Sequence, residues 1–237
     1  MTEPSTGRKS ALPTHKHIDG SALSRLYRER FAEEDLEFKS RAWRILCDRI
    51  FQRHVDPADT VLDLGAGRCE FINAIRAKDK IAVDLNPDVA EHAIDARVAL
   101  QSSTDMSEVE NDSVDVVFSS NFLEHLPTKE AVLETLVECR RILRASGTLI
   151  ILMPNMRYLH GRYWDYFDHH TPLTHNSLAE ALGLTGFDVV SLAPRFLPYT
   201  VKQRTLPHSV VLLKLYLRMP WVWRFVGRQM LVVGRLR

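Results

Sequence analysis

Between residues 60 and 153 the chain alternates short apolar runs with amphipathic stretches, an order that few folds can accommodate. Thr60 to Leu64, Lys80 to Asp84, Arg97 to Leu100, Val114 to Ser119 and Thr148 to Met153 read as strands. Glu70 to Ala77, Pro87 to Ala93 and Lys129 to Arg144 read as helices between them, the last with Thr128 as N-cap and Gly147 in the closing turn. Strands separated by helices build a parallel sheet with right-handed crossovers. A continuous apolar strand such as Leu149-Ile150-Ile151-Leu152-Met153 suits burial on both faces. Further on, Ser177-Leu178-Ala179-Glu180 predicts a capping box that opens a short helix stopping near Gly183. Phe187 to Leu192 and Met230 to Arg235 predict two more strands. The expected fold class is therefore α/β, a Rossmann-like doubly wound seven-stranded mostly parallel sheet with an antiparallel edge pair.

The 237 residues suit one medium domain with extensions. Residues 1–20 are expected to be a disordered lead, and residues 21–57 to form N-terminal helices that cap the core. Of these, Leu36 to His54 is the longer and Ser21 to Phe31 the shorter. The core is expected over 58–194, and residues 195–237 as a basic extension contributing helices and the last strand. Cys47, Cys69 and Cys139 are widely spaced and contain no CxxC pair, which argues against a disulfide framework and a zinc site and fits a reducing cytoplasm. No metal is expected. The polar start carries no secretory pattern, and the apolar run Val210 to Leu217 is far short of the about 20 residues that cross a bilayer. Nine of the 31 Lys and Arg residues fall from Arg195 onward, where no Asp or Glu remains. Such a block either meets an anionic surface, including a peripheral contact at the inner membrane face, or folds back on its own acidic body.

The chemistry starts at Val61-Leu62-Asp63-Leu64-Gly65-Ala66-Gly67-Arg68-Cys69-Glu70. Here a strand enters a glycine turn and a helix follows at once, so the backbone can bend and approach a ligand closely. Asp84 ends the next strand, where a carboxylate can accept both hydroxyls of a ribose. The third glycine of a GxGxxG fingerprint is replaced by Glu70, and Asp63 places negative charge beside the turn. Both features disfavour a pyrophosphate and suit an ammonium.

Together VLDLGAGRCEF, IAVDLNPD, SVDVVFSSNFLEHL and RRILRASGTLIILMPN resemble the class I S-adenosylmethionine-dependent methyltransferases, particularly the methyltransferase type 11 group, from about Ala42 to Val190. The resemblance implies that Asp63, Gly65, Ala66 and Gly67 hold the methionine end of S-adenosyl-L-methionine. Asp84 and Leu85 would hold the ribose, Ser103 and Thr104 the adenine, and Asn121 the cofactor floor. His125, in the Glu124-His125 pair beyond the fourth strand, is either a general base or a histidine that fixes its loop.

Methyl acceptor binding is expected in the aromatic stretch 154–176. Tyr163 and Trp164 would wall a pocket there, and His169 or His170 would remove a proton with Asp165 or Asp168 as orienting partner. Tyr27 and Arg30 are expected to close it as a lid. The competing reading makes these aromatics a cover for the sheet. The expected reaction carries methyl to an oxygen of a small or lipid-linked glycan or metabolite acceptor. A quinone-type C- or O-methyltransferase, a nicotinamide-dependent oxidoreductase and a non-catalytic binding protein on this fold stay open. No nucleic-acid partner is expected, because no Asn-Pro-Pro-aromatic signature follows the fourth strand. Either a monomer or a homodimer is compatible with the sequence.

Overall fold

In the computed structural model, which describes residues 33–199 and 209–237, the alternation becomes one seven-stranded sheet. Helix α1 (Glu33–Arg49) and a 3-10 turn (Phe51–His54) precede β1 (Thr60–Leu64), α2 (Glu70–Ala74), β2 (Asp79–Val83), α3 (Val89–His92), β3 (Arg97–Ala99) and β4 (Val114–Ser120). Then come α4 (Lys129–Ile142), β5 (Leu143–Pro154), α5 (Met156–Leu159), α6 (His175–Leu184), β6 (Phe187–Ala193), α7 (Val210–Leu217), α8 (Pro220–Val226) and β7 (Gln229–Leu236). The strand order is β3-β2-β1-β4-β5-β7-β6. Strands β1 to β5 are parallel, and β7 runs antiparallel between β5 and β6. This is the Rossmann-like class expected, and its antiparallel edge pair is β7 with β6, β7 being the inner of the two.

Strand alternation divides the core between two faces. Leu62, Leu64, Val83, Val117, Leu149 and Ile151 pack under α4 and α6. Val61, Ala82, Val116, Phe118, Ile150 and Leu152 pack under α1, α2 and α7. On this second face Phe71 lies flat on Phe118 with ring centroids 3.6 Å apart, and Phe51 meets Phe118 edge-on at 5.0 Å. Each fully buried side chain of this size stabilises the fold by about 1.5–3 kcal/mol. The helices carry their own stops. In α4 the Thr128 hydroxyl accepts from the Ala131 N–H at 3.2 Å, Glu130 sits in the first turn, and Arg140 and Arg141 sit in the last.

Several predicted boundaries shift for local reasons. Helix α4 ends at Ile142 rather than Arg144, because Leu143 already pairs with Val114 and β5 runs from there to Pro154. Helix α2 ends at Ala74, since Ile75 is extended. The capping box is formed by Thr174 and Ser177, not by Ser177 and Glu180, and its helix runs to Leu184. The stretch after β5 is less irregular than expected, with α5 followed by a 3-10 segment over His160–Asp165. The predicted helix from Ser21 to Phe31 lies outside the described residues. Among the described residues no helix is long and apolar enough to cross a membrane.

Candidate active site

The carboxyl ends of β1, β2 and β4 meet at one edge. Gly65 and Ala66 donate to the Val83 carbonyl at 2.9 and 3.1 Å, which locks the turn after β1 onto β2. Gly65 (φ 70°), Gly67 (φ 51°) and Cys69 (φ 60°) all adopt left-handed backbone within five residues. An added Cβ at Gly65 would stand 2.4 Å from the Phe122 ring, whereas at Gly67 it would meet nothing within 4 Å. The first glycine is therefore required by packing, and the second leaves open space above the loop. Asp84 fastens the loop from β2. One of its carboxylate oxygens accepts from Gly67 N and the other from Asn86 N, each at 2.8 Å.

Asp63 lies beneath this loop, 3% exposed, because alternation turns it to the same sheet face as Val61. Burial, then the charges of Glu70 and Asp84, pushes its carboxyl well above the ordinary carboxylate range, against the Ile72 backbone N–H that accommodates the charged form. Burial likewise raises Asp84, opposed by the Asn86, Gly67 and Leu85 backbone donors. Glu70 is paired with Lys39 at 2.7 Å. Two carboxyl groups thus flank an open glycine turn, an acidic lining that fits a cationic sulfonium nucleoside better than a pyrophosphate. The two Asp84 oxygens together have lone-pair capacity beyond these backbone donors. The neighbouring Cys69 thiol, buried and near Asp63, is pushed up to about 12 and stays protonated.

The positions expected at the adenine divide. Ser103 is buried with its hydroxyl 2.8 Å from that of Thr135 on α4, so its side chain serves the helix contact rather than the cleft. Thr104 is half-buried and hydrogen-bonds with Ser102. Leu85 is 61% exposed at the same edge. Asn121 is exposed, holds left-handed backbone at φ 49°, and accepts from Gln229 Nε2 at 2.7 Å, which ties the end of β4 to the start of β7.

Beside this loop the chain builds a second polar group. The 3-10 turn Leu123–His125 after β4 is zipped to residues 168–171. His170 N and Thr171 N donate to the Glu124 carbonyl at 2.8 and 3.1 Å, and the Thr171 hydroxyl donates to the Leu126 carbonyl at 2.6 Å. His125 Nδ1 faces the Asp168 carbonyl at 2.9 Å and its carboxylate at 3.3 Å. His169 Nδ1 faces the Tyr163 carbonyl at 2.8 Å, and the two imidazoles stand 5.1 Å apart. Glu124, 1% exposed, completes the group, and its Oε2 has no hydrogen-bond partner among the described residues. Burial raises the Glu124 carboxyl to about 7. Burial alone would lower His125, yet the Asp168 hydrogen bond and the Glu124 charge hold it above its ordinary value.

The expected acceptor residues are therefore separated. His125, His169 and Asp168 come together, although they stand up to 44 positions apart in sequence. His170 has an exposed ring, and Trp164 and Asp165 are exposed as well. Tyr163 is fully buried and donates to the Thr171 carbonyl at 2.7 Å, so it supports His169 from behind and walls no open pocket. Tyr27 and Arg30 lie outside the described residues. Two clefts of about 450 and 740 Å³ open at the opposite, amino edge, around Lys78–Ile81 and around Arg53, Arg144 and Arg235. Ligands of open α/β sheets gather at the carboxyl edge instead, where the charged groups converge. Glu124, Phe122 and Gln229 were missed as site residues. Only the Glu-His pairing in SSNFLEHL hinted at Glu124, and nothing local signals the other two.

A profile described as a methyltransferase domain matches residues 30–192. No curated protein matches the sequence. Among solved structures, a putative methyltransferase of Haloferax volcanii in complex with the Trm112 methyltransferase activator is 19% identical, with a TM-score of 0.64 over 86% of this chain and 93% of that one. A SAM-dependent methyltransferase from Archaeoglobus fulgidus is 20% identical, with a TM-score of 0.63 over 90% of this chain and 99% of that one. A geranyl diphosphate methyltransferase in complex with GPP and sinefungin is 16% identical, with a TM-score of 0.57 over 81% of this chain and 76% of that one.

Proposed function

The chain belongs to the methyltransferase domain family and is an S-adenosylmethionine-dependent enzyme of the class I fold, and from that premise we propose that it methylates an oxygen of a small or lipid-linked acceptor. One observation carries the reading: open space above Gly67, bounded by Asp84 and lying over Asp63, opens on the same sheet edge as the Glu124–His125–His169 group. Bound there, S-adenosylmethionine would supply an electrophilic methyl: a C–O bond to the acceptor would form, the C–S electron pair would stay on sulfur, and the acceptor's proton would pass to solvent. Asp84 accepts the ribose hydroxyls on its remaining lone pairs, and Gly65, Ala66 and Gly67 let the backbone come close. Asp63 acts from below through its field, attracting the ammonium in a medium where charge is weakly screened. The Glu124–His125–His169 group would face the acceptor hydroxyl and orient it. Positioning of this kind accounts for much of the acceleration in a displacement reaction.

The lipid-linked variant is favoured by the C-terminal helices. Strand β7 begins at the carboxyl edge, and α7 and α8 precede it in the chain. They expose Val211, Leu212, Leu215, Trp221 and Phe225 beside Lys214, Arg218 and Arg224. Apolar and aromatic residues interleaved with cations suit an anionic membrane surface at low depth. The tail also folds back in part, since Arg237 pairs with Asp188 at 2.8 Å and Arg195 donates to Gly227 O at 3.0 Å. The test is transfer of labelled methyl from S-adenosylmethionine to separated lipid and aqueous extracts. Alkali-stable label in the lipid fraction supports the reading. Label confined to water-soluble material leaves a soluble acceptor, and no label in either removes the proposed activity.

A further inference from the structure

We propose that Glu124, His125 and His169 bind one divalent transition-metal ion, which faces the methyl acceptor at the carboxyl edge of β4. This deepens the reading of the acceptor side given above and rests on it. Each of the three residues offers one ligand atom, and the three atoms lie within 4.8 Å of one another. Around a tetrahedral or octahedral ion with bonds of about 2.0–2.2 Å, ligand atoms stand about 3–3.5 Å apart, so small side-chain rotations close the set.

Three further observations point to an ion. Glu124 Oε2 is deeply buried and unpartnered among the described residues, which is costly for a carboxylate unless a cation occupies the space beside it. The second is orientation. Both imidazoles turn Nδ1 toward a backbone carbonyl, His125 to Asp168 at 2.9 Å and His169 to Tyr163 at 2.8 Å. Such a bond holds the proton on Nδ1 and leaves the lone pair on Nε2, the arrangement that surrounding carbonyls impose on metal-binding histidines. The third is rigidity, because the His170, Thr171 and Leu126 backbone bonds clamp the two segments that carry the ligands. Two imidazoles and one carboxylate select zinc, iron, cobalt or manganese over magnesium and calcium. Three protein ligands also leave coordination positions open, as a site that receives an oxygen of its substrate requires.

The experiment uses the full chain, stripped by chelator and dialysed, titrated with Co²⁺ alone and followed by visible absorption and by metal analysis after gel filtration. One equivalent retained, with the absorption of an N/O-ligated ion, supports the site. Glu124→Gln and His169→Ala should each weaken retention at least tenfold, and Asp168→Asn about 10–100-fold through His125. His170→Ala should leave it unchanged. Circular dichroism identifies any variant that fails to fold, and Glu124→Asp, which keeps the carboxylate, should recover part of the binding. Absence of retained Co²⁺ in the folded wild type, or retention indifferent to Glu124→Gln and His169→Ala, overturns the inference. Calorimetry with S-adenosylhomocysteine on the same sample separates the two claims. Nucleoside binding without metal binding ends this inference and leaves the methyltransferase reading standing, and metal binding without nucleoside binding does the reverse.

Discussion

Replacing Gly67 by alanine should separate ligand binding from folding. An L-residue in left-handed backbone costs about 1–2 kcal/mol, and at φ 51° that cost applies in full. No atom lies within 4 Å of the new methyl, so packing adds nothing. Stability should therefore fall by about 1–2 kcal/mol, or about 2–4 °C in Tm for each kcal/mol in a chain of this length. The same methyl enters the space proposed for the nucleoside, and S-adenosylhomocysteine affinity should drop at least tenfold, about 1.4 kcal/mol. Gly65→Ala behaves differently. Its methyl would stand 2.4, 2.5 and 2.9 Å from three Phe122 carbons, so about 1–3 kcal/mol of overpacking joins the backbone cost. Phe122→Ala placed on that background should restore the overpacking share. Urea unfolding and calorimetric titration of the four proteins measure both quantities. The reasoning is refuted if Gly67→Ala binds like the wild type, or if it destabilises the fold as much as Gly65→Ala.

Arg141 donates to Met106 O and Val109 O and pairs with Glu138, so Arg141→Ala should cost about 2–3 kcal/mol in urea unfolding. The Arg141 hydrogen bond holds the Glu138 carboxyl below its ordinary 4.5, so the pair's stabilisation is full above that value and is lost as pH falls through the folded-state value. The wild type should accordingly lose more stability than Arg141→Ala below pH 4.5, and parallel acid titrations would contradict this. His169→Ala should abolish turnover while His170→Ala, at an exposed ring, keeps it; equal losses in kcat would reverse that assignment. Flotation with anionic vesicles should carry the protein and fail at high salt, and Trp221→Ala with Phe225→Ala should weaken it. Flotation that ignores both salt and these substitutions would exclude the C-terminal helices as the contact.

The sheet was legible because its strands are continuous apolar runs, and each predicted strand falls within a residue or two of its place except β5. That strand begins early because Leu143 leaves α4 directly into pairing with Val114, a register fact without a local signal. The place of β7 between β5 and β6 was equally hidden, since antiparallel pairing does not fix which partner is central. At the carboxyl edge, the turn at Gly65 and Gly67 and the placing of Asp84 beside it were readable from strand-turn-helix spacing. Ser103 was not, because its orientation depends on Thr135 across the core. On the acceptor side composition was a poor guide. Tyr163 and Trp164 are adjacent and both aromatic, yet one is fully buried and the other 54% exposed. Glu124 escaped notice because burial, which makes it important, is a property of the folded 168–171 segment rather than of its neighbours in sequence.

Calorimetric titration of the purified chain with S-adenosylhomocysteine, beside Asp84→Ala and beside NAD as competitor, measures the cofactor site itself. One saturable nucleoside site is expected, weakened by about 1–3 kcal/mol in Asp84→Ala through loss of a charged hydrogen-bond acceptor, with no displacement by the dinucleotide. Undiminished affinity in Asp84→Ala, or displacement by NAD, would contradict this.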